Sequence, residues 1–353
     1  MCNKQIISKI ACGGGRNLSL DIVRCAAIVC VVAGHFFSIN TKFRTVPFEG
    51  EPSLFLQGMA NMFFGIGVPL FMLLTGYLNA RHDEYSWHYI VRMKKVLFSY
   101  VFFSVLTILF RRYYLCESLS IIDWIKKILD FSAIPYGWYI EMWIGLYLLT
   151  PLLNKAYSGV RSQTEWVLGV LFFLSSVPYF TNRYGLYLMP AFWKNLYPIL
   201  YFFIGRTLRD KVPGIKNGWL FLVIFAVCLI NPLVSLIFAR GHTMLSPAGG
   251  PWGIFGVPLS VSVFVLLLRT EKVLGEAHEL VKAIITGFSI LSLDIYLCCY
   301  ISDRILYPWF MEHYFENQIQ FGAWFFIIIP CLLLLSLLIV GVKRFLLLPF
   351  RIQ

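Results

Sequence analysis

Charge is what this chain has least of. Only 14% of its 353 residues are Asp, Glu, Lys or Arg, against roughly 25% in an average soluble domain. With 59% hydrophobic residues beside that deficit, a soluble globular fold is excluded. A disulfide framework is missing too. The sequence has nine cysteines but no CxxC pair, and Cys25, Cys30, Cys228, Cys298, Cys299 and Cys331 fall inside apolar runs, where a thiol behaves as a small hydrophobe. The adjacent Cys298 and Cys299 have no His or Cys partner at metal spacing, so no metal site is expected. The N-terminal stretch is basic but has no apolar h-region, so no cleavable signal is expected. No fixed-period repeat and no low-complexity segment beyond Gly13–Gly15 occurs.

What is present is a series of long apolar stretches, which predicts an all-α, polytopic integral membrane protein. About ten spanning candidates run near 18–39, 54–79, 89–110, 136–154, 165–181, 192–209, 217–239, 251–269, 283–307 and 321–348. They form one transmembrane domain over 18–349 behind a flexible leader, 1–17. The formal charge of +12 does not point to nucleic acid, because the basic residues sit at the ends of apolar segments, as headgroups and insertion topology require. Connections from Lys4, Lys9 and Arg16 through Lys343, Arg344 and Arg351 are about twice as rich in Lys and Arg as the opposite set. Both termini are therefore expected in the cytoplasm. The 19 Tyr and 10 Trp suit interfacial anchoring in a lipid bilayer. Between Arg111 and Pro135, the apolar positions of SIIDWIKKILDF recur at helical spacing. They predict a short amphipathic helix on the membrane surface or a solvated loop helix.

Three polar residues interrupt the first apolar run: Asp21, Arg24 and His35. Asp21 and Arg24 are three apart and can pair on a helix surface. Arg24 and His35 are eleven apart, close to three whole turns, so they share a face at a separation of about 16 Å. An ionisable residue inside a membrane segment is a functional-site hypothesis by default. Among six histidines only His35 lies well within a span, and imidazole suits proton transfer at neutral pH. Each residue also has a plainer role open to it. His35 can bond between helices, Arg24 can snorkel, and Asp21 can neutralise it. Arg92 and Lys95, three apart before the third span, can bind a phosphate group or serve as positive-inside anchors. In the second segment, Gly65, Gly67 and Gly76 allow close helix approach, and Pro69 should bend the helix and free a carbonyl.

DIVRCAAIVCVVAGHF, from Asp21 to Phe36, resembles the first helix of the membrane acyltransferase-3 family, an Arg followed eleven residues later by a His. GVPLFMLLTGYL resembles that family's second helix, with Thr75 in place of a Ser. IVRMKKVLFSY is similar to the stretch where the family carries two arginines three apart and then a Pro; here Lys95 and Ser99 stand instead. GWYIEMWIGLYLLTPLLN, YFFIG at Tyr201–Gly205 and SLDIYL at Ser292–Leu297 are similar to later landmarks in the same order. A second histidine that many relatives carry after the last landmark is replaced by Cys298 and Cys299.

The resemblance implies an O-acyltransferase of the bacterial plasma membrane, moving an acyl group, commonly acetyl, from acyl-CoA to a hydroxyl of a surface polysaccharide or its lipid-linked precursor. No tightly bound cofactor is implied, and a homo-oligomer is compatible with it. His35 would act as base or acyl carrier, with Arg24 and Asp21 as further catalytic residues toward the cytoplasmic end of the same helix, and Arg92 and Lys95 would bind acyl-CoA. Trp138 and Glu141 are candidates for the acceptor glycan; Glu141 and Asp294 can equally be structural partners of a membrane Lys or Arg. A rival reading is a proton-coupled transporter of sugars or lipid-linked intermediates, with the Asp21–Arg24–His35 stripe as relay. Such proteins have paired broken helices; the only counterpart to Gly67–Pro69 is a second GVP at Gly256–Pro258. A membrane scaffold without chemistry would leave the stripe unexplained.

Overall fold

A computed structural model describes residues 16–182, 187–239, 243 and 250–347. Most of the expected leader therefore lies outside the described residues, as do Arg183, Arg240, His242 and Arg351. The described residues are 80% helical, with no strand among them. The longer helices are α1 (Leu18–His35), α2 (Pro52–Phe64), α3 (Gly67–Leu78), α4 (Lys94–Tyr113), α5 (Ile121–Leu129) and α6 (Trp138–Gly159). They continue with α7 (Thr164–Thr181), α8 (Tyr197–Asp210), α9 (Asn217–Ala239), α10 (Gly256–Leu268), α11 (Glu279–Tyr314) and α12 (Phe325–Leu347).

All ten apolar stretches contain a helix, and seven helical segments among the described residues are long and apolar enough to cross a bilayer. The other three are α6, α8 and α10. Helices α8 and α10 have 14 and 13 residues, about 20 Å at 1.5 Å per residue, short of a hydrocarbon core of about 30 Å. Helix α6 is long enough at 22 residues, but Glu141, Lys155 and several Tyr and Trp dilute its hydropathy.

Two compact units divide the helices. The first holds the residues up to Glu84 with Leu149–Ile290. Helix α1 is its centre: Val23, Ala27, Ile28, Val32 and Ala33 are fully buried. The second expected segment is two helices, α2 and α3, broken at Gly65–Ile66. Proline 69 explains the position: its ring clashes with the carbonyl four residues back, which is that of Gly65, and it offers no N–H to it. The break leaves Gly67 against α1, where a Cβ would stand 2.8 Å from the Ala27 carbonyl oxygen. Further along, Gly76 of α3 faces the Phe202 carbonyl and Gly205 of α8 faces the Leu73 carbonyl, both too close for any side chain. Two glycines thus let α3 and α8 touch backbone to backbone. Helix α10 also opens on GVPL, with Pro258 in the position that Pro69 has in α3.

The second unit holds Tyr85–Leu148 and the chain from Leu291 onward. Lys343 belongs to the buried interior here rather than to a membrane-surface anchor. Its Nζ donates to Asp294 Oδ1 at 2.7 Å and to Ser99 Oγ at 2.8 Å, tying α12, α11 and α4. It also lies 4.9 Å from the Phe103 ring centre. Ser99 is the residue standing where the family pattern has proline. Removing one partner of a buried ion pair strands the other charge. Lys343→Met should therefore cost about 3 kcal/mol, and the double variant with Asp294→Leu should recover most of it. Unfolding in mixed micelles measures both; equal stabilities of the single and double variants would contradict the pairing.

Tyr89 and Tyr147 stack at 4.3 Å in the same unit, and each hydroxyl donates to the other's backbone carbonyl. Helix α5 forms as the amphipathic pattern predicts, with a Ser120–Asp123 capping box. The Ser120 hydrogen bonds hold the Asp123 carboxyl below its ordinary range. Ile121, Ile122, Ile125 and Leu129 are all exposed, an apolar face of the kind that lies in a lipid interface. Helix α11 is the longest element at 36 residues.

Candidate active site

Helix α1 carries the polar stripe because its N-terminus is firmly fixed. Asn17 is the N-cap, and its side chain accepts from the backbone N–H groups of Ser19 and Leu20. The helix then runs unbroken to His35. Arg24 and His35 therefore fall within about 20° of one another around the axis. Beyond His35 the backbone widens into a π-helical turn, Phe36–Asn40, a rare form that recurs at functional sites. His35 is half-buried. Next to it, Gly34 lies against the last turn of α2, where a Cβ would stand 3.3 Å from the Phe64 oxygen. The imidazole is thus placed near the level at which the α2–α3 rod is broken.

Asp21 is fully buried and its carboxylate is saturated with donors. Arg24 Nη1 donates to Oδ1 at 2.8 Å, the i, i+3 pairing expected from the spacing. Arg16 makes a fork, Nε to Oδ2 at 2.6 Å and Nη2 to Oδ1 at 2.9 Å. Ser289 of α11 adds its hydroxyl to Oδ1 at 2.7 Å. A carboxylate so occupied orients its partners. Cys25, the next residue on, donates to the Ile285 carbonyl at 3.4 Å and helps to seat α1 on α11.

Arg16 and Arg24 face a cleft of about 370 Å³, lined also by Asn17, Leu20, Leu78 and Arg209. The Arg209 guanidinium lies over the Tyr77 ring at 5.0 Å. The start of α1 and the ends of α3 and α8 therefore meet at one place. Three guanidinium groups line this cleft, two of them paired with the buried Asp21, an arrangement that attracts anions.

The remaining expected site residues belong to the second unit. Arg92 and Lys95 are both exposed. The helix tightens between them: Arg92 and Met93 make i to i−3 hydrogen bonds between the short helix Trp87–Val91 and α4. Helical dihedrals at both residues keep the two cations within one turn. Trp138 and Glu141 are also exposed, three apart on the first turn of α6. Asp294 is taken up by Lys343, the structural alternative anticipated for it. Cys298 and Cys299 are fully buried, each bonded to a carbonyl of its own helix, so they offer nothing in place of a second histidine.

A family model described as an acyltransferase domain matches residues 17–341, nearly the whole chain. The chain belongs to this acyltransferase family. No curated protein and no solved structure matches it. It is a multi-pass membrane acyltransferase. The match begins at Asn17, the cap of α1, so the polar stripe of this acyltransferase lies at the head of the matched region. Sequence reasoning did not find Arg16 and Arg209. Both look like positive-inside residues, and nothing in their spacing ties them to Asp21 or Tyr77. The one usable signal for Arg209 is the YFFIG landmark just before it, whose Gly205 makes the close approach to α3.

Proposed function

We propose that the chain is an O-acyltransferase moving an acyl group, acetyl in the first instance, from acyl-CoA to a hydroxyl of a surface polysaccharide or its lipid-linked precursor. The observation that carries this reading is the α1 stripe. It has an arginine held by a buried carboxylate at a basic cleft and, on the same face about 16 Å further along, a half-buried histidine beside a π-helical turn. In the reaction, the His35 imidazole takes the proton of the acceptor hydroxyl and the oxygen attacks the thioester carbonyl. The carbon–oxygen bond forms, the carbon–sulfur bond breaks, and the imidazolium returns its proton to the leaving thiolate. In a covalent variant, His35 first takes the acyl group itself. Asp21 and Arg24 fix the donor end of the stripe. Arg92 and Lys95 bind the anionic part of acyl-CoA, and Trp138 with Glu141 receives the sugar. We further propose one domain over 18–349 with about ten crossings, both termini in the cytoplasm of a bacterial cell, and no tightly bound cofactor.

The test is transfer from radiolabelled acetyl-CoA to glycan in membranes holding the wild type or Arg92→Ala. The wild type should transfer label. The variant should show KM for acetyl-CoA raised about tenfold, the worth of one charge-assisted contact, with acceptor KM unchanged. Unchanged donor dependence would remove Arg92 from the donor site. The paired GVPL starts of α3 and α10 favour a second reading as a proton-coupled transporter of sugars or lipid-linked intermediates. Movement of sugar across sealed vesicles without any transfer of label would decide for it.

A further inference from the structure

The cleft at the head of α1 contains more positive charge than the stripe uses. Of its three guanidinium groups, those of Arg16 and Arg24 share Asp21. Arg209 has no carboxylate partner among the described residues; its guanidinium lies over the Tyr77 ring. The neighbouring Asp210 is engaged elsewhere, by Arg206 at 2.5 Å and Arg161 at 3.6 Å. Glu271, which accepts from Asn17 at 3.0 Å, is exposed. Arg16 uses Nε and Nη2 on Asp21, and Arg24 uses Nη1, so each keeps N–H donors for another acceptor. Three cations against Asp21 and the rim carboxylate of Glu271 leave one formal positive charge in excess. The capped N-terminus of α1 adds the positive end of its dipole.

We propose that this cleft binds a phosphate ester, with Arg209 as the cation that receives it and Arg16 and Arg24 as the flanking donors. Guanidinium forks match phosphate oxygens bidentately, and the Tyr77 ring 5.0 Å from the Arg209 guanidinium holds that cation by cation–π attraction. The volume lies within the range of small-molecule sites and admits a diphosphate. The ligand is either the phosphate-bearing part of the acyl donor or an anionic lipid headgroup. The first rests on the donor reading above and deepens it.

The experiment uses the full chain in phosphatidylcholine nanodiscs. Coenzyme A is titrated calorimetrically into the wild type, Arg209→Gln and Arg209→Lys, beside pantetheine, which carries no phosphate. A loss of about 10- to 100-fold in coenzyme A affinity for Arg209→Gln, with pantetheine unchanged, supports the site with the donor as ligand. Arg209→Lys should fall between, since lysine keeps the charge without the fork. In a second arm, native mass spectrometry counts phosphatidylglycerol molecules retained by each protein. Loss of bound lipid in Arg209→Gln, with coenzyme A affinity unchanged, supports the site with a headgroup as ligand. Equal coenzyme A affinity and equal lipid retention overturn the proposal. Should Arg209→Gln fail to fold, Arg209→Lys decides in both arms by the same criteria. A wild type that binds coenzyme A through Arg209 yet transfers no acyl group would sink the enzymatic reading and leave this one standing.

Discussion

Replacing His35 by alanine should lower acyl transfer by about two to four orders of magnitude, the usual contribution of a positioned general base. On the proposed donor reading, binding of acyl-CoA should hardly change, because the cleft that gathers Arg16, Arg24 and Arg209 lies at the other end of α1. The loss belongs in kcat, with KM for acyl-CoA within about threefold of the wild type. The arrangement gives the reason. The unbroken helix from Leu18 sets the imidazole at a fixed height, and the π-helical turn after it changes the backbone path at that residue. Labelled transfer in purified proteoliposomes reads both constants. A variant that keeps full turnover would remove His35 from the chemistry, and a large rise in donor KM would make it a binding residue instead.

The second large effect concerns folding. Gly205→Leu and Gly76→Leu should each abolish the folded protein, seen as loss of the monodisperse peak after detergent extraction. A side chain at either position meets the backbone carbonyl of the facing helix, of Leu73 or of Phe202, and backbone cannot rotate out of the way as a flexible side chain can. Even alanine should cost about 3 kcal/mol, the upper part of the overpacking range. The controls form a graded series. Gly34→Ala, whose Cβ would stand 3.3 Å from the Phe64 oxygen, should be mild. Gly341→Ala, with nothing within 4 Å, should be close to neutral. If Gly205→Ala proves as stable as Gly341→Ala, α3 and α8 do not pack as described.

These cases separate what sequence spacing carries from what it does not. The Asp21–Arg24 pair is legible because both residues lie on one helix at i, i+3. The Arg24–His35 stripe is legible because nothing breaks α1 between them. Proline 69 announces its break, although the break falls four residues earlier, where its ring meets the carbonyl. Arg16 is not legible as a partner of Asp21, since it precedes the helix and reaches back around its cap. Arg209 is brought to Tyr77 only by the contact of two glycines far apart in the chain. Lys343 looks like one more positive charge at a segment end, until Asp294 and Ser99 from two other helices meet it. Where three helices converge, periodicity within any one of them is silent about the other two. The acyltransferase landmarks succeeded because they are local runs in a fixed order, read without knowing which helices touch.

The length of α11 has a bearing on where the bilayer ends. At 36 residues it measures about 54 Å. To hide within a hydrocarbon layer of about 30 Å it would have to lean over by roughly 55°, beyond the 0–40° found for spanning helices. From Lys282 to Arg304 the rise is about 33 Å, close to the thickness of that layer. The last ten residues, about 15 Å more, then pass through the headgroups. They carry Trp309 stacked on His313 and Tyr314 packed on Trp324. The end of α11 thus carries an aromatic cluster beyond its apolar length, of the kind that marks a membrane border.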